Sequence, residues 1–229
     1  MRTIVFDLDN TLAKIGKGMR EEDVKLLRKL ENRGITIAIC SGKTVDYLCG
    51  FARQIELEKP VLIGENGAII QIGVDLPPKH YYRLPYSDDA KETIEFFRGE
   101  FHRLLPHIWY QPNQVGLTPF PSESEEFEII ADCIERQKDH VKDVIIYPQV
   151  DCFDIIPAGI NKKQGIAFMA ELFHISPEDI VAVGDGINDY PMFEYAGLAI
   201  GINVQETKRV DKNFRTLTEA IEYLLESDA

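Results

Sequence analysis

The chain has 229 residues, 45% hydrophobic and 28% charged, enough for a sizeable core and for one domain carrying an insert. Its 38 acidic residues outnumber 25 basic ones for a formal net charge of −13, and no basic run offsets this, so neither nucleic acid nor an anionic membrane surface is an expected partner. Glycine and proline are too scattered for a collagen-like or low-complexity chain, and no apolar run approaches the ~20 residues of a membrane span.

Thr3–Phe6 reads as a buried strand. Residues 21–33 read as a helix with Val24, Leu27 and Leu30 on one face, stopped by Gly34. A second strand over 35–40 leads to a helical stripe of Val45, Leu48, Cys49, Ala52 and Ile55, and a third strand covers 61–63. This alternation of strand and helix predicts a parallel sheet.

From Pro77 to Pro157 the texture changes: prolines and aromatic residues crowd together, as in an inserted module. Ser87 is a suitable N-cap for a helix bearing Ile94, Phe97 and Phe101, and Phe127, Ile130, Ala131 and Ile134 stripe a second helix entered through acidic residues. Strand-like stretches at 108–111, 115–119, 144–147 and 152–156 predict an antiparallel sheet beside them. Trp109, Tyr110, Tyr81, Tyr82 and Phe120 are candidates to stack on a ring-shaped ligand, or to form the core of a small domain. The alternating rhythm then returns: a helix over 163–173, an N-capped turn at Ser176-Pro177-Glu178-Asp179, strands over 180–183 and 198–200, and a closing helix over 218–225.

The N-terminus lacks the apolar region and cleavage site of a secretory signal, and Cys40, Cys49, Cys133 and Cys152 form no C-x-x-C. Free thiols and a cytoplasmic location are therefore expected. No histidine stands at a zinc-ligand spacing.

Four stretches carry the chemistry. Phe6-Asp7-Leu8-Asp9-Asn10-Thr11 places two carboxylates at the end of the first strand, where open α/β sheets bind ligands; the chain has to turn for both to converge, and Asn10 and Gly16 permit it. Two solvated acids at a strand end are the plain alternative. Gly184-Asp185-Gly186-Ile187-Asn188-Asp189 makes an oxygen-rich loop after another strand, a hard ligand set suited to Mg²⁺, or else a surface turn. Ser41-Gly42-Lys43-Thr44 ends like a P-loop, but the motif's first glycine falls on Ile37. What remains is a hydroxyl and backbone amides at a helix N-terminus, either an anion site or an ordinary cap. Asn161-Lys162-Lys163 precedes a helix and could supply a fixed cation.

Together these stretches resemble the haloacid dehalogenase-like (HAD) hydrolase superfamily over nearly the whole chain. Asp7, Asp9 and Thr11 meet its D-x-D-x-T, Ser41 its Ser/Thr after the second strand, Lys162 its lysine, and Asp185 and Asp189 its G-D-x-x-x-D. Asn10 stands where the family most often has glycine. The insert, with Gly64-Glu65-Asn66-Gly67-Ala68, is similar to the branch with a C2-type cap, subclass IIB, which includes Cof-like sugar phosphatases, sucrose-phosphate phosphatase, archaeal phosphoglycolate phosphatase and eukaryotic phosphomannomutase. The resemblance implies an α/β fold with a Rossmann-like parallel-sheet core, residues 1–77 and 158–229, and an inserted α+β C2-type cap, residues 78–157.

It also implies a reaction. Asp7 would be the nucleophile and Asp9 the acid and base; Ser41, Gly42 and Lys162 would hold phosphate; Asp7, Asp9 through its carbonyl, Asp185 and Asp189 would hold Mg²⁺; Thr11, Asn66 and Asn188 would support them. The expected substrate is a small phosphomonoester, a sugar phosphate first and phosphoglycolate or a mannosyl-3-phosphoglycerate type second. The alternative is a phosphomannomutase-like sugar phosphomutase. Oligomeric state is left open.

Overall fold

The computed structural model describes residues 3–227. They form two compact units, one of residues up to Arg83 together with the chain from Asn161 onward, and one of Leu84–Ile160.

The first unit begins with β1 (Thr3–Phe6), α1 (Glu21–Asn32), β2 (Thr36–Cys40), α2 (Val45–Gln54) and β3 (Val61–Gly64). All four residues of β1 are buried, as befits a strand covered on both faces. The chain then turns back through β4 (Ile69–Ile72) and β5 (His80–Arg83), both antiparallel to their neighbours. These two strands have no counterpart in the sequence reading, and they move the boundary. Because His80–Arg83 pairs with β4, the second unit starts at Leu84 and ends at Ile160, in place of 78–157. Tyr81 and Tyr82 accordingly belong to the core sheet, and Tyr82 packs against Phe168.

The first unit resumes with α5 (Lys162–Phe173), a single 3₁₀ turn at Pro177–Asp179, β10 (Ile180–Gly184), α6 (Tyr190–Phe193), β11 (Leu198–Ile202), β12 (Lys212–Phe214) and α7 (Leu217–Ser227), the intervening elements belonging to the second unit. Ser176 makes no side-chain cap there. The eight strands run in the order β12-β11-β10-β1-β2-β3-β4-β5, with β12 through β3 parallel. Strand order reverses at β1: the chain builds outward through β2 and β3 on one side and through β10 and β11 on the other, the arrangement that opens a ligand crevice at the strand ends.

The second unit holds α3 (Asp88–Leu104), β6 (Trp109–Tyr110), β7 (Pro119–Phe120), α4 (Ser124–Arg136), β8 (Val144–Pro148) and β9 (Phe153–Pro157). Ser87 caps α3 by accepting from the Ala90 amide at 3.1 Å, as the sequence suggested. The four expected strands are reduced to two antiparallel pairs, β6 with β7 and β8 with β9, joined by one bridge between Leu117 and Ile155. Phe97, Phe101, Leu117, Ile130, Phe153 and Ile155 fill the core. Tyr110 packs onto that core, whereas Trp109 is 59% exposed and rests on Phe120. The four cysteines are buried, and none is in a disulfide. Among the described residues no helix is long and apolar enough to cross a membrane.

Candidate active site

Asp7, Ser41 and Asp185 each directly follow one of the adjacent parallel strands β1, β2 and β10. The Asp7 amide extends the ladder by one bond to Val183 O (2.8 Å), and the Ser41 amide donates to Ile63 O (2.9 Å), so both side chains leave from fixed backbone. Beyond Asp7 the chain closes tightly: Ala13 N donates to Leu8 O and Asn10 N to Ala13 O, with Asn10 at φ 64 and Gly16 at φ 70. The expected turn is present, but it does not bring the Asp9 carboxylate into the cluster that Asp7 forms with Asp185 and Asp189.

Lys162 is the first residue of α5, whose N-cap Asn161 accepts from the Gln164 amide. The helix start is pressed onto the Glu65-Asn66-Gly67 turn: Gly67 sits at φ +105, and a Cβ there would collide with the Asn161 carbonyl. From this position the Lys162 ammonium donates to Asp7 Oδ1 at 2.5 Å and to Asp189 Oδ1 at 2.6 Å, with all three side chains buried. Burial works against the lysine's charge, but Asp189 and Asp7 outweigh it and hold the pKa above its ordinary value.

Asp189 closes the acidic loop on itself. Its Oδ2 accepts from the amides of Asp185 (2.9 Å) and Gly186 (3.1 Å), and Gly184 leaves room for that carboxylate where a Cβ would not. Both Asp189 oxygens are thus engaged, while Asp185 Oδ1 receives only a long contact, 3.5 Å, from the Thr11 hydroxyl. Oxygen atoms of Asp7, Asp185 and Asp189 all lie within 4.8 Å of one another, among the described residues the one such group of three or more potential metal ligands. Crowding of like charge shows in their acidity. Burial, followed by Asp189 and against the pull of Lys162, raises Asp7 to about 7; burial and Asp189 raise Asp185 to about 6. The Cys40 thiol is pushed up to about 12, chiefly by burial.

Asp9 stands apart from this cluster, its Oδ2 3.6 Å from the Lys43 ammonium. Ser41 is buried and its hydroxyl accepts from the Lys43 amide at 3.2 Å; the cap of α2 is Thr44, so Ser41 is not needed for that task. Asn66, at φ 57, donates its amide to Ser41 O and brings its side chain beside Gly42. Asn188 is exposed on the loop. The expected residues therefore meet as a buried ion cluster of Asp7, Asp189 and Lys162 with Asp185 adjoining it, a turn at Ser41-Gly42 that carries a hydroxyl and backbone amides, and Asp9 to one side. The Lys43 pairing with Asp9 was not foreseen; the Gly-Lys-Thr stretch was its one signal.

The sequence profile of the haloacid dehalogenase-like hydrolases matches residues 4–127 and 120–213. The chain belongs to this family. Relatives of known name agree: phosphoglycolate phosphatase of Methanopyrus kandleri is 25% identical over 86% of the chain and 82% of its own length. The 5-amino-6-(5-phospho-D-ribitylamino)uracil phosphatase of Bacillus subtilis is 24% identical over 95% and 90%. In fold, the chain is similar to the HAD subclass IIB sugar phosphatase BT4131, with a TM-score of 0.69, 17% identity, and coverage of 98% of this chain and 99% of that one. The enzyme class expected from the motifs, a phosphatase of the HAD hydrolases, stands on these matches.

Proposed function

We propose that the chain is a Mg²⁺-dependent phosphatase that hydrolyses a small phosphorylated metabolite through an aspartyl phosphate on Asp7. The observation that carries this is the convergence of buried Asp7 and Asp189, both on the Lys162 ammonium, with half-buried Asp185. The donor set fits a hard cation: all are oxygens, and Asp7 and Asp185 retain unengaged lone pairs while Asp189 fixes the loop. Bound by Asp7, Asp185 and the Asp9 carbonyl, Mg²⁺ would neutralise charge between nucleophile and phosphate.

The chain's own residues do the rest. Asp7 attacks phosphorus through a carboxylate oxygen, the ester P–O bond breaks, and the leaving oxygen takes the proton of Asp9. A water then gives a proton to Asp9 and attacks the same phosphorus; the bond to Asp7 breaks and inorganic phosphate leaves. Ser41, the Gly42 turn and Lys162 hold the nonbridging oxygens, where charge spreads in the transition state. The second unit would serve as the C2-type cap.

The substrate is a phosphomonoester of a sugar or of a small hydroxy acid, in keeping with the names of the relatives. A phosphomutase has less support, because five of the eight cations in and beside the insert, Lys91, Arg98, Arg103, Arg136 and Lys138, each pair with an acid three or four residues away. The test is phosphate release from phosphoglycolate, sugar phosphates and hexose 1-phosphates, with and without Mg²⁺, using Asp7→Asn as the blank. Metal-dependent release abolished in the blank supports the proposal; conversion of a hexose 1-phosphate to its 6-phosphate without release supports the mutase instead.

A further inference from the structure

Lys43 stands at the site, and no step above uses its side chain. Its ammonium lies 3.6 Å from Asp9 Oδ2, with the two side chains 33% and 30% exposed, whereas Lys162 is enclosed and already donates to two carboxylates. The backbone of Lys43 is held from both sides, its amide by Ser41 Oγ at 3.2 Å and its carbonyl by the Glu65 amide at 2.8 Å. Only the side chain is free to choose a partner.

In the proposed reaction Asp9 must come within about 2.6–3.2 Å of the leaving oxygen, which keeps the Lys43 ammonium within about 7 Å of that oxygen. A leaving group with a carboxylate one carbon beyond the ester oxygen falls inside this radius. Once Asp9 has given up its proton, that carboxylate would meet the like charge of Asp9, and Lys43 is the cation placed to bridge them, as Lys162 bridges Asp7 and Asp189. An ammonium is a point charge with three donors and can hold both at once.

We propose that Lys43 makes the chain selective for phosphomonoesters of small hydroxycarboxylic acids by pairing with the substrate's own carboxylate. This rests on the phosphatase reading above. The experiment compares kcat/KM for phosphoglycolate and for ethyl phosphate, which carries a methyl group in place of the carboxylate, in wild type, Lys43→Met and Lys43→Arg, with Mg²⁺ present and melting curves to verify folding. The wild type should prefer phosphoglycolate by about tenfold or more, the worth of a charge-assisted hydrogen bond; Lys43→Met should lose that preference, its kcat/KM falling about tenfold more on phosphoglycolate than on ethyl phosphate, and Lys43→Arg should keep most of it. Equal losses on both substrates in Lys43→Met would mean that Lys43 serves the phosphate or the fold, and overturn the proposal. So would a preference unchanged in Lys43→Met, or a wild type that hydrolyses other phosphomonoesters without favouring phosphoglycolate. A wild type that releases phosphate from nothing in the panel overturns the phosphatase reading itself.

Discussion

Among the described residues every buried charged side chain, Asp7, Asp23, Glu65, Lys162 and Asp189, lies in the unit built on the eight-stranded sheet. The unit of residues 84–160 buries only hydroxyls. Thr93 donates to the carbonyls of His140 and Lys142 and accepts from the Lys142 amide; Thr118 donates to Asp154. Its charges sit outside, in ion pairs along its own helices that are each worth little. Burying an ion costs several kcal/mol, so a fold that places Asp7, Asp189 and Lys162 together at strand ends carries a cost the other unit does not. Charge is buried in the unit to which the proposed phosphate chemistry is assigned.

Substitutions should separate the two regimes. Asp7→Asn has the largest expected effect, a fall in turnover on the order of 10⁴-fold or more with the fold retained, read by phosphate release and thermal melting. Next, Lys162→Met leaves Asp7 and Asp189 facing each other without a counter-charge; stability should drop by about 3–5 kcal/mol in urea titration and activity should vanish, while half-buried Lys163→Met changes both little. The reverse ranking would show that the wrong lysine has been placed in the site.

Titration sharpens the same contrast. Asp7 and Asp185 are raised from 3.8 to about 7 and about 6, so each binds a proton more readily in the folded state; the stability they contribute is complete below pH 3.8 and is lost as pH rises through 6 and 7. The stability of Asp7→Asn relative to wild type, without metal, should therefore increase between pH 4 and 7, and a pH-independent difference would contradict the raised acidity constant. Smallest is Ser87→Ala in the second unit, which removes the cap of α3 and should cost about 1 kcal/mol while leaving the Mg²⁺ dependence of phosphate release unchanged.

Where the sequence alternated strand and helix, its elements could be read almost to the residue: Thr3–Phe6 is the observed β1, and Val45 opens α2 as its stripe required. Strand β12, Lys212–Phe214, was invisible because a three-residue polar edge strand has no apolar alternation to detect. His80–Arg83 was missed for another reason. Pro77-Pro78 reads as a boundary, yet prolines before an edge strand remove no ladder bond. At the site, residue types and spacing were enough to nominate Asp7, Lys162, Asp185 and Asp189. The self-closure of Asp189 onto its own loop and the partnership of Lys43 with Asp9 are properties of the folded chain that no linear spacing encodes.

The central claim is that Asp7 becomes covalently phosphorylated. The direct measurement is an acid quench of the enzyme during turnover of p-nitrophenyl phosphate with Mg²⁺, borohydride reduction and peptide mass mapping, since an acyl phosphate is reduced to the alcohol and turns its aspartate into homoserine. The expected result is homoserine at position 7 alone, absent without substrate and absent in Asp7→Asn. Sustained phosphate release with position 7 left as aspartate, or with the reduced residue elsewhere, would contradict the account.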